Sequence, residues 1–285
     1  MRSSIARAPG CIERAMGRAN RTRRRAVPAA AGAAIALGVL TLLWPAMARA
    51  YRPFDLTDAD VAQRHHIELE LGPVEYLARG DDRLLHAPSA VLNYGADGSR
   101  EFSAEAARLM PEGGGPAQFG DFRLSYKQIL RRGTLQDGRG PSLATEWAML
   151  VPLRDDPHAG ASLALILSTR SPRGYAHVNS EVERDREGIN ALETGVILER
   201  GDQEGVGPVM ELEGNAEDGE PPGGSVLIGL VYVPRAGFEW DVGVREGSVA
   251  GAHVLELRSG LTWQFSTHEA VAKAKEMAPG RRRRH

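Results

Sequence analysis

Strict two-residue alternation, with charge confined to one phase, restricts this fold more than any other feature of the sequence. In Ile67-Glu68-Leu69-Glu70-Leu71 apolar side chains alternate with carboxylates, and Phe122-Arg123-Leu124-Ser125-Tyr126-Lys127 repeats the pattern with basic residues. Leu143, Thr145, Trp147, Met149 and Val151 share one phase, opposed by Ser142, Ala144, Glu146 and Ala148. Leu192, Thr194, Val196 and Leu198 oppose Glu193, Gly195 and Glu199, and Phe238, Trp240, Val242 and Val244 oppose Glu239, Asp241, Gly243 and Arg245. The last run sets Leu255, Leu257, Ser259, Leu261, Trp263 and Phe265 against Glu256, Arg258, Gly260, Thr262 and Gln264. A helix would scatter these charges around its circumference, whereas a strand sorts them onto one face. Period 2 therefore prevails over period 3.6 across 51–265.

Counting such runs gives twelve strands, centred near residues 71, 89, 104, 126, 147, 165, 179, 195, 210, 229, 242 and 259. Each spans about 9–11 residues, the length of a tilted membrane-crossing strand rather than of an ordinary soluble one. Gly95-Ala96-Asp97-Gly98, Ser171-Pro172-Arg173-Gly174 and Pro234-Arg235-Ala236-Gly237 form tight turns after strands 2, 6 and 10. Longer connectors, at 111–116 and 214–224, follow strands 3 and 9. This predicts one short rim and one loop-rich rim, as in outer-membrane barrels. The connectors 131–141 and 200–206 depart from that rule.

Alternation alone also suits a soluble antiparallel sheet. The distribution of side chains decides for a barrel. The polar phase is rich in Glu and Arg, while Tyr126, Trp147, Tyr232, Trp240, Trp263 and Phe265 fall in the apolar phase, as an interfacial girdle requires. An apolar exterior around a wet, charged interior satisfies every backbone group only when the sheet closes on itself. The fold expected is all-β, a closed antiparallel transmembrane β-barrel of about twelve strands.

Composition agrees. Hydrophobic residues make up 42% of the 285, and the mean hydropathy is −0.30, which excludes a polytopic helical membrane protein. The lone cysteine, Cys11, excludes a disulfide framework and a cysteine-ligated metal centre. Charge is unevenly spread. Residues 1–50 hold nine of the 35 basic residues and one of the 37 acids, so 51–285 carries 26 basic against 36 acidic residues, a net of −10. The basic start runs into the apolar stretch 29–44 and then Ala48-Arg49-Ala50, the order of a secretory signal peptide. The domain plan is thus a cleaved signal peptide at 1–50, the barrel at 51–265 and a basic extension at 266–285, with export to a bacterial outer membrane.

The order of several motifs resembles a family of bacterial outer-membrane transporters, the meta-pathway of phenol degradation type. Its start is matched by Tyr51-Arg52-Pro53-Phe54-Asp55-Leu56-Thr57-Asp58-Ala59-Asp60 and then Ile67 to Pro73. Val91-Leu92-Asn93-Tyr94-Gly95, Gly133 to Asp137, Gly140 to Glu146 and Gly160 to Leu165 follow in order. Asp241 to Gly247 and Gly260-Leu261-Thr262-Trp263-Gln264-Phe265 complete it. The resemblance covers nearly all of 51–265 and implies one outer-membrane barrel with a transport role. It also implies recognition by the barrel-assembly machinery through the strand ending at Phe265. Two features depart from the family pattern: Gln63-Arg64-His65-His66 ahead of the first strand, and the 20 residues after Phe265, with a short helix expected at 266–277 and a basic tail at 281–284.

The polar phase nominates Arg123, Lys127, His177, Asn179, Glu181, Glu239, Asp241, Arg245, Glu256 and Arg258 as lumen-facing, solute-contacting residues. Facing acids and bases can build a transverse field that selects solutes; equally, paired Arg and Glu can simply fill a narrow interior. His65, His66 and His86 are poorly placed for a metal, since adjacent residues of a strand point to opposite faces. His177 with Asn179 is the nearest catalytic pair, yet no nucleophile elbow, Walker loop or dinucleotide fingerprint accompanies it. No enzyme, cofactor or nucleic-acid partner is expected. The partners expected are outer-membrane lipid and a small-molecule solute. The function expected is passive passage of small solutes, with a soluble periplasmic β-sheet binding protein or a structural barrel with a plugged lumen as alternatives.

Overall fold

A computed structural model describes residues 53–80, 82–111, 118–119, 122–152, 158–200 and 204–267; the expected signal peptide at 1–50 and the extension beyond residue 267 lie outside the described residues. The strands are β1 (His66–Arg79), β2 (Asp82–Gly95), β3 (Arg100–Pro111), β4 (Gln118–Phe119), β5 (Arg123–Arg131), β6 (Ser142–Leu150) and β7 (Gly160–Ser171). They continue as β8 (Gly174–Arg184), β9 (Asn190–Glu199), β10 (Gly205–Glu217), β11 (Gly223–Arg235), β12 (Phe238–Val249) and β13 (Ala252–Ser266). All but the two-residue β4, which pairs only with β3, join one antiparallel ring. Closure comes from β1, which pairs with β2 on one side and with β13 on the other, setting Leu69 opposite Trp263 and Glu68 opposite Gln264. The result is a closed barrel of twelve strands. Each strand centre lies within two residues of the position read from alternation, although lengths run from 9 to 15 residues.

Burial in this ring is inverted relative to a soluble protein. Trp147, Leu165, Ile228 and Trp240 are exposed, while Glu70, Glu211, Glu256 and Arg258 are buried. A closed wall with apolar side chains outside and charge inside is the arrangement of an outer-membrane barrel, and it removes the soluble-sheet alternative. Exterior aromatics concentrate near the rim that carries the start of β1 and the end of β13. There Tyr232 stands opposite Trp240, and Phe102 packs on Tyr126 with ring centroids 5.3 Å apart. Trp263 departs from its expected interfacial role. It is buried, flanked in register by Leu69 and Phe238, and meets Phe265 edge-on at 5.8 Å.

The predicted contrast between rims is weaker than the sequence suggests. Tight turns do follow β2, β7 and β11, but β1–β2 and β12–β13, on the opposite rim, are as short. The β12–β13 link needs only Ala250 and Gly251, both at positive φ (49° and 74°), the backbone form that joins twisted antiparallel strands in two residues. Irregularities in the wall also have local causes. The β1–β13 register shifts between Leu71 and Val74, where Pro73 has no N–H to give the ladder.

Residues 53–65 overturn the expectation of a purely wet interior. From the rim that carries the start of β1, the segment extends from His65 back to Pro53 inside the barrel. His65 N donates to Gly95 O at 2.7 Å. Gly95 is required there, because a Cβ would lie 2.2 Å from the carbonyl oxygens of Ala62 and Gln63. Deeper in, Phe54 and Leu56 pack on Ile197, Val209 and Leu227, and Ala59 packs on Ala144, Ala164 and Ile166. Burying Phe54 and Leu56 is worth roughly 1.5–3 kcal/mol each. Part of the lumen is therefore a dry core formed with the chain's own segment 53–65.

Candidate functional site in the barrel lumen

An extended segment inside a barrel cannot complete a ladder, so its backbone groups must find side chains. The inward phase of each strand supplies them. Arg258 Nη1 donates to Pro53 O at 2.6 Å. Asp55 N and Leu56 N both donate to Glu211 Oε2, at 3.0 and 3.1 Å. Asn179 grips Thr57 twice, its Oδ1 accepting from Thr57 N at 3.2 Å and its Nδ2 donating to Thr57 O at 2.7 Å. Ala59 N donates to Ser168 Oγ at 2.8 Å, and Ala62 N donates to Glu101 Oε2 at 2.5 Å.

Around Asp55 the wall forms a charge cluster. Its carboxylate lies 2.7 Å from Arg245 Nη2 and 2.7 Å from Arg258 Nη1. Arg245 also reaches Glu213 at 2.6 Å and Glu211, while Arg258 Nε donates to Glu256 at 2.8 Å. Burial alone would raise the pKa of Asp55, but Arg245 and Arg258 outweigh it and hold the group below its ordinary value. The carboxylate oxygens of Asp55, Glu211 and Glu213 come within 4.8 Å of one another, as metal ligands would. The guanidinium of Arg245 already supplies positive charge to all three, so they do not call for a metal ion.

A second region stays open. A cavity of about 560 Å³ lies against the segment, its wall including inward residues of β1, β2, β3 and β5. Twelve carboxyl-bearing residues line it against three bases, Arg123, Lys127 and Arg170, so it favours positive charge. Lys127 Nζ donates to Thr57 Oγ1 at 2.8 Å and lies 3.9 Å from Glu101 and 4.0 Å from Glu146. Arg123 reaches Glu181 at 3.0 Å, Glu183 at 3.5 Å and Ser162 at 2.8 Å. On the segment, burial raises Asp58 to about 6, with Lys127 opposing and Asp60 adding to the rise.

All ten residues nominated from the sequence point inward. Arg245 and Arg258 hold Asp55, Lys127 and Asn179 hold Thr57, Glu256 orients Arg258, and Arg123 pairs with Glu181. Glu239 lines the cavity, and Asp241 is buried in the wall. His177 takes part in a row the sequence did not suggest, with Nδ1 2.8 Å from Ser168 Oγ and Nε2 3.0 Å from Glu199 Oε1. Ser168 is 1% exposed and accepts the Ala59 N–H, so this row holds the segment. His65 and His66 meet different groups, Tyr94 Oη and Arg64 O, and the side chain of His86 is not described. Sequence reasoning missed Asp55, Asp58, Glu101, Glu211 and Glu213. The readable signal was a set of apolar residues in the polar phase, Ile166, Ile197, Val209 and Leu227, which a purely wet interior does not explain.

Closed wall, inverted surface and charged lumen together define an outer-membrane-type β-barrel. No protein-family model matches the sequence, and no curated protein matches it. Among solved structures, an outer membrane channel from Pseudomonas putida F1 shares the fold with a TM-score of 0.53 at 11% identity, over 74% of this chain and all of that one. The KdgM porin in complex with disordered oligogalacturonate aligns with a TM-score of 0.47 at 8% identity, over 69% of this chain and 98% of that one. The CymD monoaromatic hydrocarbon channel gives 0.41 at 10%, over 72% and 89%.

Proposed function

We propose that this barrel is a channel of a bacterial outer membrane for passive passage of small polar solutes, with a preference for cations, narrowed by its segment 53–65. One observation carries the reading: inside a closed wall, a cavity of about 560 Å³ is bordered by twelve acidic and three basic side chains. Such a lining concentrates counter-ions at the cavity. The likeness of fold to an outer membrane channel accords with it. Export through a signal peptide at 1–50, delivery to the assembly machinery through the strand ending at Phe265, and membership of the phenol-degradation transporter type belong to the same proposal. They are supported by the order of charge and motifs in the sequence.

The test is single-channel recording in planar bilayers under a KCl gradient. Stepwise conductance with a reversal potential on the cation side is expected. A second reading, a structural barrel plugged by its own segment, draws on the two arginines that hold Asp55. A silent full-length protein whose deletion variant lacking 53–62 conducts would establish that second reading. Silence from both would reject the channel. Heat-modifiable gel mobility and detergent-dependent extraction check the membrane placement.

A further inference from the structure

Glu68 lies on β1, lines the cavity and is 6% exposed, yet among the described residues it has neither a hydrogen bond nor an ion pair. The charges that act on it most strongly are themselves acidic: Glu70, Glu101, Glu239 and Asp58. Lys127 sits by Glu101 and Glu146 instead. Directly across the ladder from Glu68 stand Asn93 on β2 and Gln264 on β13. Gln264 also lines the cavity, is 2% exposed, and its Oε1 has no hydrogen-bond donor. Asn93 commits its Nδ2 to Glu70 Oε1 at 2.8 Å.

A buried carboxylate and a buried amide oxygen without donors are costly unless something supplies positive charge and N–H groups. A single metal ion fits poorly, because it needs oxygens converging at about 2.0–2.6 Å. Among the described residues, the one set of three carboxylates with closely gathered oxygens is that of Asp55, which Arg245 already occupies. The cavity is larger than a metal ion requires, and Val61, Val91, Leu135 and Ala164 give its wall apolar stretches. We propose that it binds a small organic cation, an aliphatic amine or guanidinium, whose N–H groups donate to Glu68 and Gln264 Oε1 while its carbon body lies on the apolar wall. This deepens the channel reading, on which it rests for the claim that the bound cation is also a passing solute.

Titration calorimetry on the detergent-solubilised full barrel, with putrescine and agmatine as probes, tests the site itself. Saturable binding of at least one probe is expected. Glu68→Gln should weaken it about tenfold or more, the loss of one charge-assisted hydrogen bond, and Gln264→Glu should tighten it. Heat-modifiable mobility verifies that each variant is folded. Absence of saturable binding, or equal affinity in wild type and both variants, overturns the proposal. So does Ca²⁺ binding that Glu68→Gln abolishes in a protein that takes neither amine. Conductance in KCl without amine is read separately. A silent barrel that binds the probes loses the channel reading and keeps the site, while a conducting barrel that ignores them loses only the site.

Discussion

Arg258 on the last strand donates to Asp55 at 2.7 Å, although 203 residues separate them in sequence. This contact ties the luminal segment to the strand that closes the ring. Among the described residues, Asp55 is the segment side chain that meets two guanidinium groups, which makes it the polar anchor of docking. Replacing it by Ala leaves Arg245 and Arg258 short of a partner inside the barrel, and breaking a buried pair costs about 3–5 kcal/mol. The ring itself does not depend on Asp55. Asp55→Ala should therefore keep its heat-modifiable mobility, while the segment becomes open to protease and the single-channel conductance rises. Unchanged conductance and protease resistance would show that the segment is held by its apolar side chains alone.

Selectivity should respond to Arg123 and Lys127 and much less to Arg245. The first two line the open cavity, and each lies beside carboxylates that also line it. Arg245 is enclosed by Asp55, Glu211 and Glu213. Arg123→Ala together with Lys127→Ala leaves the cavity lining with one base, Arg170, so the reversal potential should move further toward the K⁺ limit. The same change leaves Glu181 and Glu183 without Arg123, and a loss of about 3–5 kcal/mol in stability is expected. Reversal potentials identical to wild type would place the permeation path elsewhere.

The wall was legible in the sequence because a barrel writes its pattern locally. In Ile67 to Leu71 or Phe238 to Arg245, each residue's face follows from its position in a run of period 2, and the structure keeps those faces. The luminal segment was not legible for the opposite reason. Its partners lie on distant strands, up to 205 residues away, as Ala62 with Glu101 (39), Ala59 with Ser168 (109) and Pro53 with Arg258 (205) show. Nothing in Pro53-Phe54-Asp55-Leu56 separates a docked strand-like segment from an ordinary leader into β1. The trace it left was indirect: Ile197, Val209 and Leu227 hold places where the polar phase calls for water-facing groups. Trp263 was misplaced because alternation gives a face and not its surroundings; Leu69, Phe238 and Phe265 crowd a position that the pattern reads as interfacial.

Docking should also depend on pH, with two aspartates acting in opposite senses. Burial, aided by Asp60 and opposed by Lys127, raises Asp58 from 3.8 to about 6. The docked segment therefore holds a proton that the free segment releases. Its contribution is full below pH 3.8, is lost as pH rises toward 6, and amounts to about 3 kcal/mol for a shift of 6 − 3.8 = 2.2 units. For Asp55 burial is outweighed by Arg245 and Arg258, and the lowered value makes its contribution full above 3.8 and lost as pH falls through the docked-state value. Docking should thus be tightest near pH 4 and loosen between 4 and 6. Protease access at the segment, followed across that range, should rise in wild type and rise less in Asp58→Asn. A level profile in both proteins would reject the assignment to Asp58.

Leu227 and Ile228 are neighbours on β11 with opposite environments, 1% and 63% exposed. Inverted burial predicts opposite consequences for the two. Leu227 faces Phe54 and Leu56 in the lumen, so Leu227→Ala should cost about 2–5 kcal/mol through the cavity it leaves, much of it read as weaker docking of the segment. Ile228 stands mid-strand between Met210 and Val244 in register on the outer face. An Arg there would meet hydrocarbon, at a cost of about 2–4 kcal/mol near the bilayer midplane. On a water-facing surface the same change would stay within about 0.5 kcal/mol. Ile228→Arg should lower the fraction of protein recovered in the membrane with heat-modifiable mobility, whereas Leu227→Ala should leave insertion intact. Wild-type recovery of Ile228→Arg would mean that this face meets water, and the membrane placement of the barrel would fall with it.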